Sequence, residues 1–95
     1  MPAGVTLLQN VPNPFNPTTE IRFGLPGASA TTLKVYDTSG RLVRTLLANA
    51  PLAAGFHRVS WDGADARGHK SSSGLYFYVL EADGQRQTGK MTLLK

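Results

Sequence analysis

The side chains with the clearest potential for metal binding lie in the segment WDGADARG, where Asp62 and Asp65 stand three residues apart. Carboxylate oxygens are ligands that calcium prefers, and neighbouring backbone carbonyls could add to them. The spacing Asp-x-x-Asp-x-x-Gly is not that of an EF-hand, however, and two carboxylates are few for an ion that binds about six to eight oxygens. We therefore expect Asx turns to shape this loop without a metal, with calcium binding as the alternative.

The histidines and serines do not form a recognisable catalytic pattern. His57 and His69 are far apart in the chain and have no acid at metal-ligand spacing. We expect His57 to be a partly buried strand residue and His69 to lie in a loop. The run Ser71–Ser73 is typical of a loop and lacks the Gly-x-Ser-x-Gly elbow of serine hydrolases. We predict that the chain is not an enzyme and binds no metal or cofactor.

Charge and composition indicate a globular domain without a nucleic-acid partner. Ten Lys and Arg residues against six Asp and Glu residues give a net charge of +4, but the basic residues are scattered and alternate with apolar ones. This pattern is typical of a solvated face rather than a nucleic-acid site. There are no cysteines, which excludes disulfides and thiolate zinc sites. The segment MPAGVTLLQ does not resemble a secretory signal, so we expect either a cytosolic protein or part of a longer exported one.

Short alternating runs of apolar and polar residues predict an all-β protein. No segment keeps a helical period, and the runs are separated by Gly, Pro, Asn and Asp at turns. Seven such runs in 95 residues indicate a single β-sandwich. We assign residues 1–7 to a linker from an upstream domain and residues 8–95 to the sandwich. The predicted strands are Val5–Gln9, Thr19–Leu25, Thr31–Asp37, Arg41–Leu47, Gly55–Trp61, Leu75–Ala82 and Gln85–Leu94.

Alternation within these strands also predicts the turns and the core. Asp37–Gly40 has the residue preferences of a type I turn, and Asp83-Gly84 those of a type I′ hairpin. The strand Leu75–Ala82 is apolar on both faces, which indicates either a central strand or a partner-binding face on one side. Trp61 is expected to bury the largest area. The predicted core consists of Ile21, Phe23, Leu33, Val35, Val59, Trp61, Tyr76, Tyr78 and Leu80.

The segment NVPNPFNPTTEIRF, residues 10–23, places three prolines before a strand. Proline fixes φ and lacks a backbone donor, and it forces the residue before it into extended geometry. Pro12, Pro14 and Pro17 therefore exclude a helix or a central strand here. We predict a stiff leader into the strand Thr19–Leu25.

Five motifs together resemble a known family. In order, they are NPFNPTTEIRFGLP, LKVYDTSGRLVRTL, AGFHRVSWDG, SGLYFYVLEADG and KMTLLK. They resemble the type A C-terminal sorting domain carried by cargo of the bacterial type IX secretion system, and the related immunoglobulin-like domain of flagellar hook-capping proteins. The resemblance covers about Leu8 to Lys95. It implies an immunoglobulin-like (fibronectin III-like) antiparallel β-sandwich of about seven strands, appended to a larger exported cargo protein.

The resemblance also assigns two groups of site residues. At the junction with cargo it implies that Phe15 pins the leader to the sandwich and that the asparagines satisfy backbone groups that the prolines leave exposed. That junction motif is Asn13, Pro14, Phe15, Asn16 and Pro17. The final strand is the part that the secretion machinery is implied to read, with Met91 and Leu93 facing the core and both lysines exposed. The implied sorting signal is Lys90, Met91, Thr92, Leu93, Leu94 and Lys95.

The function implied is a noncatalytic sorting and surface-attachment module. Such a monomer would fold in the periplasm, contact the outer-membrane secretion machinery and its sortase-like processing component, and finish at the cell surface or outside the cell. The alternative is a structural spacer or assembly domain of the hook-capping type. A carbohydrate-binding module is a third alternative, but it needs an exposed aromatic platform, and Trp61 is predicted to be buried.

Overall fold

The computed structural model describes residues 4–94. Two antiparallel sheets pack face to face, one with the order β1-β2-β5 and the other with the order β4-β3-β6-β7. This is a seven-stranded immunoglobulin-like sandwich, so the predicted fold class is confirmed. No helix long and apolar enough to span a membrane occurs within residues 4–94. The strands are β1 (Thr6–Leu7), β2 (Thr19–Leu25), β3 (Ser29–Tyr36), β4 (Leu42–Leu52), β5 (Gly55–Trp61), β6 (Gly74–Ala82) and β7 (Gln85–Leu93).

The core lies between the two sheets and follows the period-two alternation of the sequence. All the predicted core residues are buried except Val59, which is only partly buried. Val59 lies on β5, an edge strand of its sheet, so fewer neighbours cover it. The core also contains Leu25, which was not predicted, and Met91 and Leu93, which the family resemblance placed there. Phe15, expected to pin the leader, belongs to the same cluster.

Strand β4 differs most from its predicted range, because it continues to Leu52 instead of ending at Leu47. Asn49 and Pro51 are residue types that favour a turn. Asn49 does adopt a positive φ of 49°, but it sits within the strand, where its N–H donates to Thr32 Oγ1 at 3.2 Å. Pro51 is tolerated because β4 is an edge strand, which leaves one side of its backbone without a ladder. The β3–β4 register shifts accommodate this irregular stretch.

Both predicted turns are present. Asp83 and Gly84 have φ values of 52° and 70°, as a type I′ hairpin requires. In the other turn, the Gly40 N–H donates to the Asp37 carbonyl at 3.1 Å. The Asp37 carboxylate accepts hydrogen bonds from the Ser39 hydroxyl and from the N–H groups of Ser39 and Arg41. The Ser39 hydroxyl is the main cause of the lowered pKa of Asp37.

Strand β1 lies within the range assigned to a linker. Thr6 pairs with Gly24 and Leu7 with Phe23 of β2. Val5 is buried, and Leu7 packs against the core. The sandwich therefore includes residues before Leu8, because these two apolar side chains cover one end of the core.

Candidate functional site

The leader and the final strand lie side by side. Phe15 N–H donates to the Thr92 carbonyl, and Leu94 N–H donates to the Phe15 carbonyl, both at 2.9 Å. The Asn13 side-chain oxygen accepts a hydrogen bond from Thr92 N–H at 2.9 Å. We call residues 13–15 and 92–94, joined by these three bonds, the leader clasp. It brings the junction motif and the proposed sorting signal into direct contact, although they are almost 80 residues apart in sequence.

Phe15 anchors the leader clasp in the core. Its side chain is 1% exposed and packs against the Trp61 ring, with ring centroids 5.6 Å apart. Trp61 in turn contacts the Tyr76 ring edge-on at 5.5 Å and donates its indole N–H to the Ala64 carbonyl at 2.8 Å. The leader is therefore held by a buried aromatic cluster as well as by backbone hydrogen bonds.

The prediction that the junction-motif asparagines satisfy the backbone beside the prolines is wrong for Asn13. Asn10, which precedes the motif, has this role. The Pro12 carbonyl is held by Asn10, whose side-chain N–H donates to it at 3.1 Å, and by the Thr19 hydroxyl at 2.9 Å. Asn10 is 1% exposed and also donates to Thr19 Oγ1 at 3.0 Å. Asn13 instead serves the final strand. The sequence signal for Asn10 is its position two residues before Pro12, from which its side chain can bond the backbone locally.

Tyr78 ties the leader to the middle of the four-stranded sheet. Its hydroxyl donates to the Leu8 carbonyl at 3.0 Å and accepts from Asn10 N–H at 3.1 Å. Gly89 lies opposite Tyr78 in the β6–β7 register. A Cβ on Gly89 would lie 2.6 Å from Tyr78 Cε2, so the ring needs the space that glycine leaves. The sequence analysis predicted Tyr78 only as a core residue and assigned no role to Gly89 or Asn10.

The edge of β7 is covered by the N-terminal segment. Gln9 donates its side-chain N–H to the Lys90 carbonyl at 2.9 Å, two residues before the leader clasp begins on the final strand. Nearer the hairpin, the side chains of Gln85 and Gln87 accept hydrogen bonds from Val5 N–H and Leu7 N–H at 3.2 and 2.9 Å. Gln87 also donates to the Val5 carbonyl. The side-chain bonds of Gln85 and Gln87 join the two sheets, and the Gln9 bond extends coverage of the β7 backbone edge to Lys90.

The proposed sorting residues fall into three groups by exposure. Met91 and Leu93 are 1% and 3% exposed and belong to the core. Lys90 and Leu94 are exposed, and Thr92 is half-buried. Lys95 lies outside the described residues. In the folded chain, a partner can therefore contact this strand only through its outward-facing side chains.

Loop 62–73 lies against the leader and the end of β7, next to the leader clasp. Gly63 has a φ of 79°, and a Cβ at this position would lie 3.1 Å from the Pro17 carbonyl. The same loop and the ends of the leader and β7 enclose a pocket of about 360 Å³, lined by Asn16, Pro17 and Leu93 among others. Glycine is required here because it combines a positive φ with the close approach of the leader backbone.

The expected Asx turns shape this loop. The Asp62 carboxylate accepts from Ala64 N–H at 3.0 Å, and Asp65 accepts from the N–H groups of Arg67 and His69 at 2.9 and 3.0 Å. Desolvation alone raises the pKa of Asp65, but these N–H donors and the nearby cations lower the pKa overall. Within residues 4–94, no three His, Asp or Glu side chains form a metal-binding group. That calcium does not bind here stays a prediction.

The two histidines occupy the expected kinds of position. His57 is partly buried on β5, stacks on the Phe23 ring at 5.6 Å and has Nε2 2.7 Å from the Ala53 carbonyl. His69 lies exposed in the loop, with Nδ1 4.0 Å from the Asp65 carboxylate. Both arrangements are structural.

Tyr78→Phe should reduce stability and also change its pH dependence. Loss of the hydroxyl leaves Asn10 N–H without its partner, which should cost about 1 to 3 kcal/mol at neutral pH. Burial raises the pKa of Tyr78, so its contribution is fully present below the ordinary tyrosine pKa of about 10 and is lost as pH rises through the folded-state pKa. Urea unfolding from neutral pH to about pH 11 should show a shallower alkaline decline in Tyr78→Phe. Identical declines in the two proteins would contradict this role.

Comparison with known proteins identifies the fold family. The family model described as FlgD Ig-like domain matches residues 10–86. None of the curated proteins compared matches the chain significantly. PorU from Porphyromonas gingivalis, solved as a latent dimer, aligns with a TM-score of 0.73 and 21% identity over 95% of this chain and 9% of PorU. PorZ from the same organism, described as an essential surface component of its type IX secretion system, aligns with a TM-score of 0.66 and 20% identity over 94% of this chain and 11% of PorZ.

A third structure is a closer match in length. FlgD from P. aeruginosa aligns with a TM-score of 0.63 and 22% identity, over 93% of this chain and 70% of FlgD. At these identities the structural matches establish a shared fold, and the chain spans only 9% and 11% of PorU and PorZ. The family match, in contrast, extends from the leader through the β6–β7 hairpin. The chain belongs to the FlgD Ig-like domain family.

Proposed function

We propose that the chain is a noncatalytic C-terminal sorting and surface-attachment module of a larger exported protein. Its upstream cargo domain would pass with it through a type IX secretion system, from the periplasm to the cell surface or beyond. The partners would be the outer-membrane secretion machinery and its sortase-like processing component. The folded monomer would be the form that is read.

The leader clasp is the observation that carries this proposal. The two segments that the sorting-domain resemblance singles out, residues 13–17 and 90–95, are joined by the hydrogen bonds of Asn13 and Phe15 to Thr92 and Leu94. A sorting module needs its cargo junction and its recognition strand in a fixed relation. The clasp supplies that relation, because Phe15 is locked into the core beside Trp61.

The structural matches add support from domain organisation. In PorU and PorZ the matching sandwich is a small part of a much longer chain, as expected for an appended module. PorZ is described as a surface component of a type IX system. These relations favour a module that travels with, or operates at, such a secretion apparatus.

The second candidate is a structural spacer or assembly domain, which the match to the FlgD Ig-like domain favours. In that case the same sandwich would serve cohesion, and no residue of β7 would be read by a translocon. The carbohydrate-binding alternative loses its main support, because Trp61 is 1% exposed and cannot form part of a flat sugar platform.

A reporter fusion tests the proposal. Residues 1–95 are placed after a periplasmic reporter with a signal peptide, in a bacterium with a functional type IX system and in a strain lacking its translocon. We expect the reporter at the cell surface in the first strain and in the periplasm in the second. A fusion to an unrelated immunoglobulin-like sandwich is the control and should stay periplasmic in both. Periplasmic retention of the test fusion in the competent strain would favour the spacer.

A further inference from the structure

The outward face of the four-stranded sheet carries a row of apolar side chains that remain partly exposed among residues 4–94. Leu42 and Leu75 are 47% and 39% exposed, and Tyr36 and Phe77 are half-buried. Tyr36 is opposite Leu42 on one side and opposite Phe77 on the other, so the row continues across three strands. We call Tyr36, Leu42, Leu75 and Phe77 the outer row.

The outer row reaches the part of β7 that is open to a partner. On β7, Met91 and Leu93 face the core, and the N-terminal segment occupies the strand edge. From Lys90 to Leu93, only the outward side chains remain accessible. Among these, Lys90 is paired with Phe77 and Thr92 with Leu75. A partner that contacts folded β7 through Lys90 or Thr92 therefore also meets the outer row.

The charges around the outer row are mainly positive. Lys34 lies opposite Val79, and Lys90 lies opposite Phe77. Arg86 also projects outward, opposite the acid Glu81, so this pair is locally balanced. The two lysines beside the apolar row have no acid paired with them in the β3–β6 or β6–β7 register. A partner with acidic side chains around an apolar centre would complement this arrangement.

We propose that the outer row and its flanking lysines form a docking surface for a protein partner whose contact surface is apolar at the centre and acidic at the rim. An exposed apolar patch rimmed by charge is typical of interaction sites. A second copy of this chain is a poorer occupant, because two copies packed face to face would oppose lysines to lysines. The docking surface does not depend on the secretion role.

Two designed peptides test this surface by NMR on the full ¹⁵N-labelled chain. One alternates glutamate and leucine, and the other alternates lysine and leucine. We expect the acidic peptide to shift amide signals of Leu75, Phe77 and Lys90, and the basic peptide to leave them unchanged. Added salt should weaken the acidic peptide's binding, because the contacting charges are exposed.

Two variants and one control make the result specific. Leu75→Thr with Phe77→Thr should weaken binding of the acidic peptide by about tenfold or more. Phe56→Thr is the matched control, because Phe56 is 68% exposed on the other sheet, and it should bind as the wild type does. If the threonine variant fails to fold, Lys34→Glu with Lys90→Glu replaces it and should exchange the peptide preference.

Several results would overturn the proposal. These are shifts that map to the Phe56 face, equal shifts with both peptides, or no shifts at millimolar peptide. Concentration-dependent shifts of the same amides without peptide would identify a second copy as the occupant instead.

Discussion

Replacing Trp61 with alanine should lower the free energy of unfolding by about 3 to 5 kcal/mol. The indole is 1% exposed, contacts the Phe15 and Tyr76 rings and donates a hydrogen bond to the Ala64 carbonyl. Its removal leaves a cavity where the leader meets the core and takes away one of the two hydrogen bonds to the Ala64 carbonyl, the other coming from Arg44. Because small domains are stable by only about 5 to 15 kcal/mol, much of the chain should be unfolded at moderate urea.

Phe56→Ala is the matched control for this variant. Phe56 lies on the same strand but is 68% exposed, so its removal should change stability by less than about 1 kcal/mol. Urea midpoints of the two variants should therefore differ widely. Equal midpoints would mean that Trp61 is at the surface, and the carbohydrate-binding alternative would regain its support.

Gly89→Ala should be almost as damaging, although it adds a single methyl group. The new Cβ would overlap the Tyr78 ring, which is 1% exposed and belongs to the core cluster. Overpacking of this kind costs about 1 to 3 kcal/mol. Displacement of the ring would also break the hydroxyl bonds to Leu8 and Asn10, at about 1 kcal/mol each. We expect a total loss of about 3 kcal/mol or more, measured by urea unfolding.

Gly27→Ala separates this clash from a general glycine effect. A Cβ at Gly27 meets no atom within 4 Å, and its φ is not in the left-handed range. Its stability should stay within about 0.5 kcal/mol of the wild type. If Gly89→Ala were equally mild, Tyr78 would not depend on the glycine opposite it.

Much of the fold was predictable because strand alternation and turn chemistry are local signals. Strand β5 has its predicted bounds, and the Asp83-Gly84 turn fixes the β6–β7 register. That register also places Gly89 opposite Tyr78, so their packing could have been read from the sequence. Strand β4 was predicted too short because Asn49 and Pro51 break a central strand, and the sequence did not reveal that β4 is at an edge.

The site was harder to predict because its contacts are long-range. The resemblance singled out both segments of the leader clasp, but no local pattern indicates that Asn13 bonds Thr92 or that Gln85 and Gln87 join the two sheets. Such bonds depend on how the sheets stack. The β6 part of the outer row, in contrast, is visible in the sequence as the second apolar face of Leu75–Ala82. The sequence left two alternatives for this segment, a central strand or a partner-binding face. In the structure, β6 is a central strand whose outer face is partly exposed.

The sorting role requires that the secretion machinery recognise the final motif of the folded chain. The fraction of the fused reporter that reaches the cell surface measures this recognition. Lys90→Ala with Lys95→Ala should leave thermal unfolding nearly unchanged, since Lys90 is exposed and surface charges contribute little to stability. Arg22→Ala with Arg58→Ala removes the same charge from exposed positions on the other sheet and is the control. We predict that the lysine variant stays in the periplasm while the arginine variant reaches the surface. A lysine variant at the surface at the wild-type level would contradict recognition of this basic strand.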